Sequence, residues 1–153
     1  MTVVRIYLLA VGGCSLVLGL AYVIRPVEMA ALTEFTLPSP MAIIEIRAFY
    51  GGQLVGLGFA ILLGLWDRRF VLPGLLLAAV PLAGTAAGRL YGVIDAGTFP
   101  PVAAGFFVLE SATASIGGIL LRREIAREQQ PRRADTVGRR HELLSRPGPP
   151  SGM

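Results

Sequence analysis

Four residues with the chemistry to form a site are Glu45, Arg47, Arg89 and Glu110. Each stands inside or at the edge of a long apolar stretch, where an ionised side chain is costly and is kept for pairing, for lining a polar cavity or for moving a proton. Two are acidic and two basic, so the set can neutralise itself. Asp95 lies a few residues beyond Arg89, and Tyr50, Gln53, Tyr91 and Ser111 supply polar groups close by. Such a set can bind a small ligand or a lipid headgroup, lock helices in register, or let a carboxylate such as Glu110 relay a proton. Nucleophilic or metal chemistry has little to work with. The one histidine, His141, lies in a polar tail, and the one cysteine, Cys14, lies in an apolar run. No serine has an evident base beside it, no thiolate cluster is available, and no cofactor or metal is expected.

The elements that must hold these residues are helices. The chain has 153 residues, of which 54% are hydrophobic and only 16% charged. A soluble domain is about a quarter charged. Uncharged runs cover Ile6 to Ile24, Ala48 to Trp66 and Phe70 to Gly88, and a fourth runs from Ala96 to Leu121, broken only by Glu110. About 20 apolar residues span a bilayer as a helix, and the alternation required of barrel strands is missing. The expectation is an all-α polytopic membrane protein, a four-transmembrane-helix bundle with helices at about 4–24, 41–66, 70–94 and 100–121. Pro100 and Pro101 suit a helix start, Pro81 falls inside helix three, and Pro26 with an apolar spacing to Phe35 predicts a short surface helix in the first loop.

All 14 basic residues are arginines, and their placement predicts topology. Arg5, the Arg68-Arg69 pair and eight arginines of the tail flank one side, so both termini should be cytoplasmic. At 1.5 Å of rise per residue, Glu45, Arg47, Arg89 and Glu110 then lie about 6, 9, 8 and 14 Å below the outer helix ends. Arg89 with Glu110 is the pairing expected first, followed by Arg47 with Glu110 and Arg89 with Glu45. Glu45 and Arg47 point about 200° apart on a regular helix, so both face one pocket only if the helix start is irregular.

The 122–153 tail carries eight arginines against four acids, which equals the +4 of the whole chain. It is read as a cytoplasmic segment, helical to Gln130 before Pro131, with the Arg-Pro-Gly-Pro-Pro-Ser-Gly run from Arg146 disordered. It serves as a topology signal or touches anionic lipid headgroups, and the interleaved acids and missing aromatics argue against nucleic acid. Glycines set at helical spacing, Gly52 and Gly56 in helix two and Gly84, Gly88 and Gly92 in helix three, are expected to pack helices closely, within the bundle or against a second copy or a partner membrane protein.

The run Glu45-Ile46-Arg47-Ala48-Phe49-Tyr50-Gly51-Gly52, followed by Gly88-Arg89-Leu90-Tyr91 and Asp95-Ala96-Gly97, resembles the uncharacterised bacterial membrane family catalogued as domain of unknown function 4345. Gly13, Gly19 and Arg25-Pro26 fit its first helix. The resemblance covers Leu8 to Leu121 and leaves the tail outside. It implies four membrane helices and no assigned activity, and it picks out Glu45, Arg47, Arg89 and Asp95 but not Glu110. The function expected is non-enzymatic: binding or passage of a small or lipid-like ligand at a polar pocket in the outer half. The alternatives are an accessory subunit packing through its glycines and a membrane enzyme or proton relay using the carboxylates.

Overall fold

The structure, a computed structural model, describes the backbone of residues 2–145 and the side-chain surroundings of residues 2–129. It is all-helical, with no strand among the described residues. Helix α1 is Thr2–Ile24, α2 is Pro26–Ala31, and α3 is Pro40–Ile46. A wide π-helical turn, Arg47–Gly52, joins α3 to α4, Gln53–Trp66. A 3-10 turn at Arg68–Phe70 leads into α5, Val71–Ala96, and α6 is Pro101–Ser145. Four helical stretches of 23, 27, 29 and 29 residues are long and apolar enough to cross a membrane. At 1.5 Å per residue they measure about 34 to 44 Å, against about 30 Å of hydrocarbon.

Local chemistry sets the ends. The Ser39 hydroxyl caps α3 by accepting from the Ala42 N–H at 3.2 Å, with Pro40 in the first turn where no donor is lost. Asp67 Oδ1 accepts from the Arg69 N–H at 2.9 Å and closes the tight turn after α4. α5 continues through Pro81 and stops at Gly97, which takes the left-handed conformation (φ 64°) that ends helices. The short helix expected after Pro26 is present as α2. The sequence reading ended the last helix at Gln130, but α6 runs on past Pro131, since a proline deletes one backbone bond while its Arg-, Glu- and Ala-rich flanks favour helix. The disorder expected from Arg146 onward lies outside the described residues. The chain divides into two compact units, Met1–Leu121 and Arg122–Met153. In the second, Arg127 Nη1 donates to Glu124 Oε1 at 2.7 Å.

Within the first unit, packing is concentrated on α1 against α4 and at the end where the chain begins, here the near end. Leu8, Ile61 and Leu75 are fully buried there, with Val4, Tyr7, Val71, Ala78 and Leu120 around them. Lipid supplies little hydrophobic drive between helices, so the contact relies on backbone approach. Gly12 faces Gly58 and Gly19 faces Gly51, each pair seven residues from the other along its helix. A Cβ on Gly58 would sit 2.7 Å from the Gly12 carbonyl oxygen, and one on Gly19 would sit 2.6 Å from the Val55 nitrogen. Gly74 brings α5 against the Ile61 carbonyl, and Gly117 of α6 lies against the Tyr7 hydroxyl, which donates to the Thr113 carbonyl at 3.0 Å.

The glycines singled out from sequence spacing behave differently. Gly56, Gly84, Gly88 and Gly92 have open space where a Cβ would be, and Gly52 meets only its own turn, the Arg47 carbonyl at 3.8 Å. Of the two roles expected for these five, packing within the bundle is therefore not found in the single chain. The four-residue spacing places Gly84, Gly88 and Gly92 on one stripe of α5, but the buried residues of α5 are Val71, Gly74, Leu75, Ala78, Ala79 and Ala86, all but the last nearer the start of the helix than the stripe.

Replacing Gly58 by valine is expected to destabilise the bundle by about 2–4 kcal/mol, because backbone atoms stand where the side chain must go. Gly84→Ala and Gly88→Ala are expected to be neutral or stabilising by up to about 1 kcal/mol in the isolated chain. Unfolding titrations in mixed dodecyl sulfate micelles measure both.

Candidate functional site

Beyond the near end the packing thins. No residue of α5 after Ala86 is buried, none of α6 before Gly117 is, and none of α3 is. This far end holds Glu45, Arg47, Tyr50, Arg89, Tyr91, Asp95 and Glu110. It is where α5 and α6 are tied by side chains rather than by close-packed backbones. Arg89 and Glu110 make that tie. Arg89 Nε donates to Glu110 Oε2 at 3.1 Å and Nη2 to Oε1 at 2.8 Å, a bidentate pair of two charge-assisted bonds. The Arg89 side chain keeps 31% of its surface exposed and Glu110 12%. The guanidinium carbon also lies 5.1 Å from the centre of the Phe106 ring, one turn before Glu110, in cation–π range. Phe99 and Phe107 meet edge to face at 6.2 Å near the start of α6.

The wide turn supplies a second feature. Its bonding reaches one residue further than in an α-helix, as where the Gln53 N–H donates to the Ala48 carbonyl. On an unbroken helix Arg47 would fall within about 20° of Gly58, on the stripe that packs against α1. The inserted residue carries Arg47 and Glu45 about 100° round, off that stripe. Both side chains are exposed in the chain, and neither forms an ion pair or hydrogen bond among the described residues. The same turn seats Gly51 on Val23 of α1 and sets Tyr50 against Tyr22, ring centres 5.3 Å apart, with Phe35 of the first loop at 6.4 Å.

Residues 3–121 match the family model described as Domain of unknown function (DUF4345). The chain belongs to this family. The match ends where the first compact unit ends, so the family domain is the bundle and the arginine-rich segment lies beyond it. No match to the chain is found among the curated proteins or among the solved structures.

In this member of the family the structure joins Arg89 to Glu110, with Phe106 over the guanidinium. It does not bring Glu45 or Arg47 into that pair. Tyr91 is 71% exposed and Asp95 is exposed, each without a side-chain bond among the described residues. Ser111 contributes its carbonyl to the Ser115 hydroxyl at 2.7 Å rather than its own hydroxyl to the pair. Sequence reasoning missed three groups. Phe106 was hidden because any aromatic in a span reads as lipid-facing, although its spacing of four to Glu110 places both on one face. Tyr22 and Phe35 meet Tyr50 only through the return of the first loop. The seven-residue spacings Gly12 to Gly19 and Gly51 to Gly58 were present and would have marked the α1–α4 contact. Among the described residues, no three His, Cys, Asp or Glu side chains converge as a metal site would require.

A double-mutant cycle with Arg89→Gln and Glu110→Gln is expected to give a coupling of about 1–2 kcal/mol in unfolding titrations. Arg89→Lys should recover only part of it, since one ammonium does not present two parallel donors to a carboxylate.

Proposed function

We propose that the chain is a multi-pass protein of a bacterial inner membrane that binds or passes a small or lipid-like ligand at the polar far end of its bundle. The single observation that carries this reading is the Arg89–Glu110 pair with its partly exposed guanidinium, set in the one part of the bundle where α3, α5 and α6 bury nothing. A charged group left partly uncovered inside a membrane is costly unless a polar partner meets it. Here a charged, aromatic-flanked group is left reachable at membrane depth, where ionisable side chains line ligand or ion paths. The wide turn at Arg47–Gly52 supports the same reading, since such turns recur at functional sites. By the positive-inside rule, Arg5, Arg68 and Arg69 support cytoplasmic termini and a site toward the outer face.

A second reading has an observation of its own. Gly56, Gly84, Gly88 and Gly92 face open space in the single chain, which suits an accessory subunit that meets another copy or a partner membrane protein through close helix approach. The arginines of the second unit suit contact with anionic headgroups.

The two readings separate on Arg89. Native mass spectrometry of the full chain released from mild detergent is expected to show a retained small-molecule or lipid adduct. The Arg89→Leu variant, still helical by circular dichroism, is expected to lose it. An adduct carried equally by both proteins overturns the binding reading and leaves the subunit reading.

A further inference from the structure

Glu110 commits both of its oxygens to Arg89, at 3.1 and 2.8 Å, and accepts no other hydrogen bond among the described residues. The guanidinium charge is thereby cancelled in place. Only two of its three nitrogens are used. Nη1 donates to no acceptor among the described residues, yet no side-chain nitrogen or oxygen there is both buried and unpaired. Nη1 is therefore open at the surface of the bundle and not enclosed by packing. Phe106 covers part of the same group and is itself 40% exposed, so an apolar surface continues outward from the donors. In a membrane segment a free N–H without an acceptor is costly.

We propose that Glu110 sets the charge of the ligand: the Arg89–Glu110 pair with Phe106 takes an uncharged amphiphile whose head offers a carbonyl or hydroxyl oxygen to Arg89 Nη1, and it discriminates against an anionic head. This rests on the binding reading above. A neutral acceptor satisfies the open donors without changing the charge of the site. An anionic head leaves a net negative charge beside Glu110 in a medium of low dielectric, where an uncompensated charge is far costlier than a dipole. Specificity then comes as much from the carboxylate that repels as from the arginine that attracts.

The test uses the full chain in dodecyl maltoside at pH 8, titrated separately with 1-monooleoylglycerol, oleyl phosphate and dioleoylphosphatidylcholine and read by native mass spectrometry. The wild-type chain is expected to bind monooleoylglycerol at least about tenfold more tightly than oleyl phosphate, a difference of about 1.4 kcal/mol. Glu110→Gln, which removes the countercharge and keeps the shape, is expected to reverse that order. Arg89→Gln is expected to weaken monooleoylglycerol at least about tenfold. Competition by the phosphatidylcholine, whose ester carbonyls offer the same acceptor, identifies a bilayer lipid as the occupant; its failure to compete identifies a free single-chain amphiphile. A wild-type preference for oleyl phosphate overturns the proposal, and so does an unchanged order in a folded Glu110→Gln chain. Should that variant not fold, the wild-type order and Arg89→Gln decide. Binding of neither probe to the wild type removes the binding reading itself, whereas monooleoylglycerol binding that ignores both substitutions removes only this inference.

Discussion

Where α4 crosses Gly12, its backbone comes so near to α1 that a methyl group on Gly58 would stand 2.7 Å from the Gly12 carbonyl oxygen. The rest of the bundle follows from that approach. Between helices in lipid the attraction is van der Waals contact, which grows only as backbones close in. Glycine pairs at two levels, Gly12 with Gly58 and Gly19 with Gly51, make α1 and α4 a single rigid body. α5 adds to its near end through Gly74, Leu75 and Ala78, and α6 through Gly117 and the Tyr7–Thr113 bond. The bundle is therefore close-packed at one end and held by longer side chains at the other.

This asymmetry explains why the far end holds the charges. An arginine and a glutamate need room to form a two-bond pair, and the thinly packed stretch between Ala86 and Gly117 provides it. The wide turn at Arg47–Gly52 solves a conflict on α4. The stripe of small residues that meets α1 would, on a regular helix, run straight into Arg47. One inserted residue lets Gly51 stay seated against Val23 while Arg47 and Glu45 swing clear, and Tyr50 joins Tyr22 and Phe35. Close packing of α1 on α4 and the opening of the polar end are thus two consequences of one local sequence, Arg47-Ala48-Phe49-Tyr50-Gly51-Gly52.

Several features were legible beforehand. Length and apolar runs mark four helices, because a bilayer admits few other spanning structures. The cost of intramembrane charge picks out Glu45, Arg47, Arg89 and Glu110. The first choice of partner for Arg89 is also the contact observed, since arginine is long enough to reach the deeper carboxylate of a neighbouring helix. The glycines were read less well. A four-residue spacing on α5 draws the eye, yet it marks a face that the single chain leaves uncovered. The seven-residue spacings on α1 and α4 are quieter and form the contact. Spacing says which residues share a face, not which face is inward.

The sequence by itself determined the helical class, the number of spans, the family and the residues too costly to be accidental. These depend on transfer free energy and on local backbone chemistry, which act residue by residue. Only the tertiary structure decided which glycines touch, that the second span opens into a wide turn, that Phe106 covers Arg89, and that one nitrogen of that arginine is left unpaired. Those facts depend on the rotation of each helix about its axis relative to its neighbours. In a medium that rewards no particular apolar face, that rotation is set by shape complementarity between helices rather than by hydrophobic pattern.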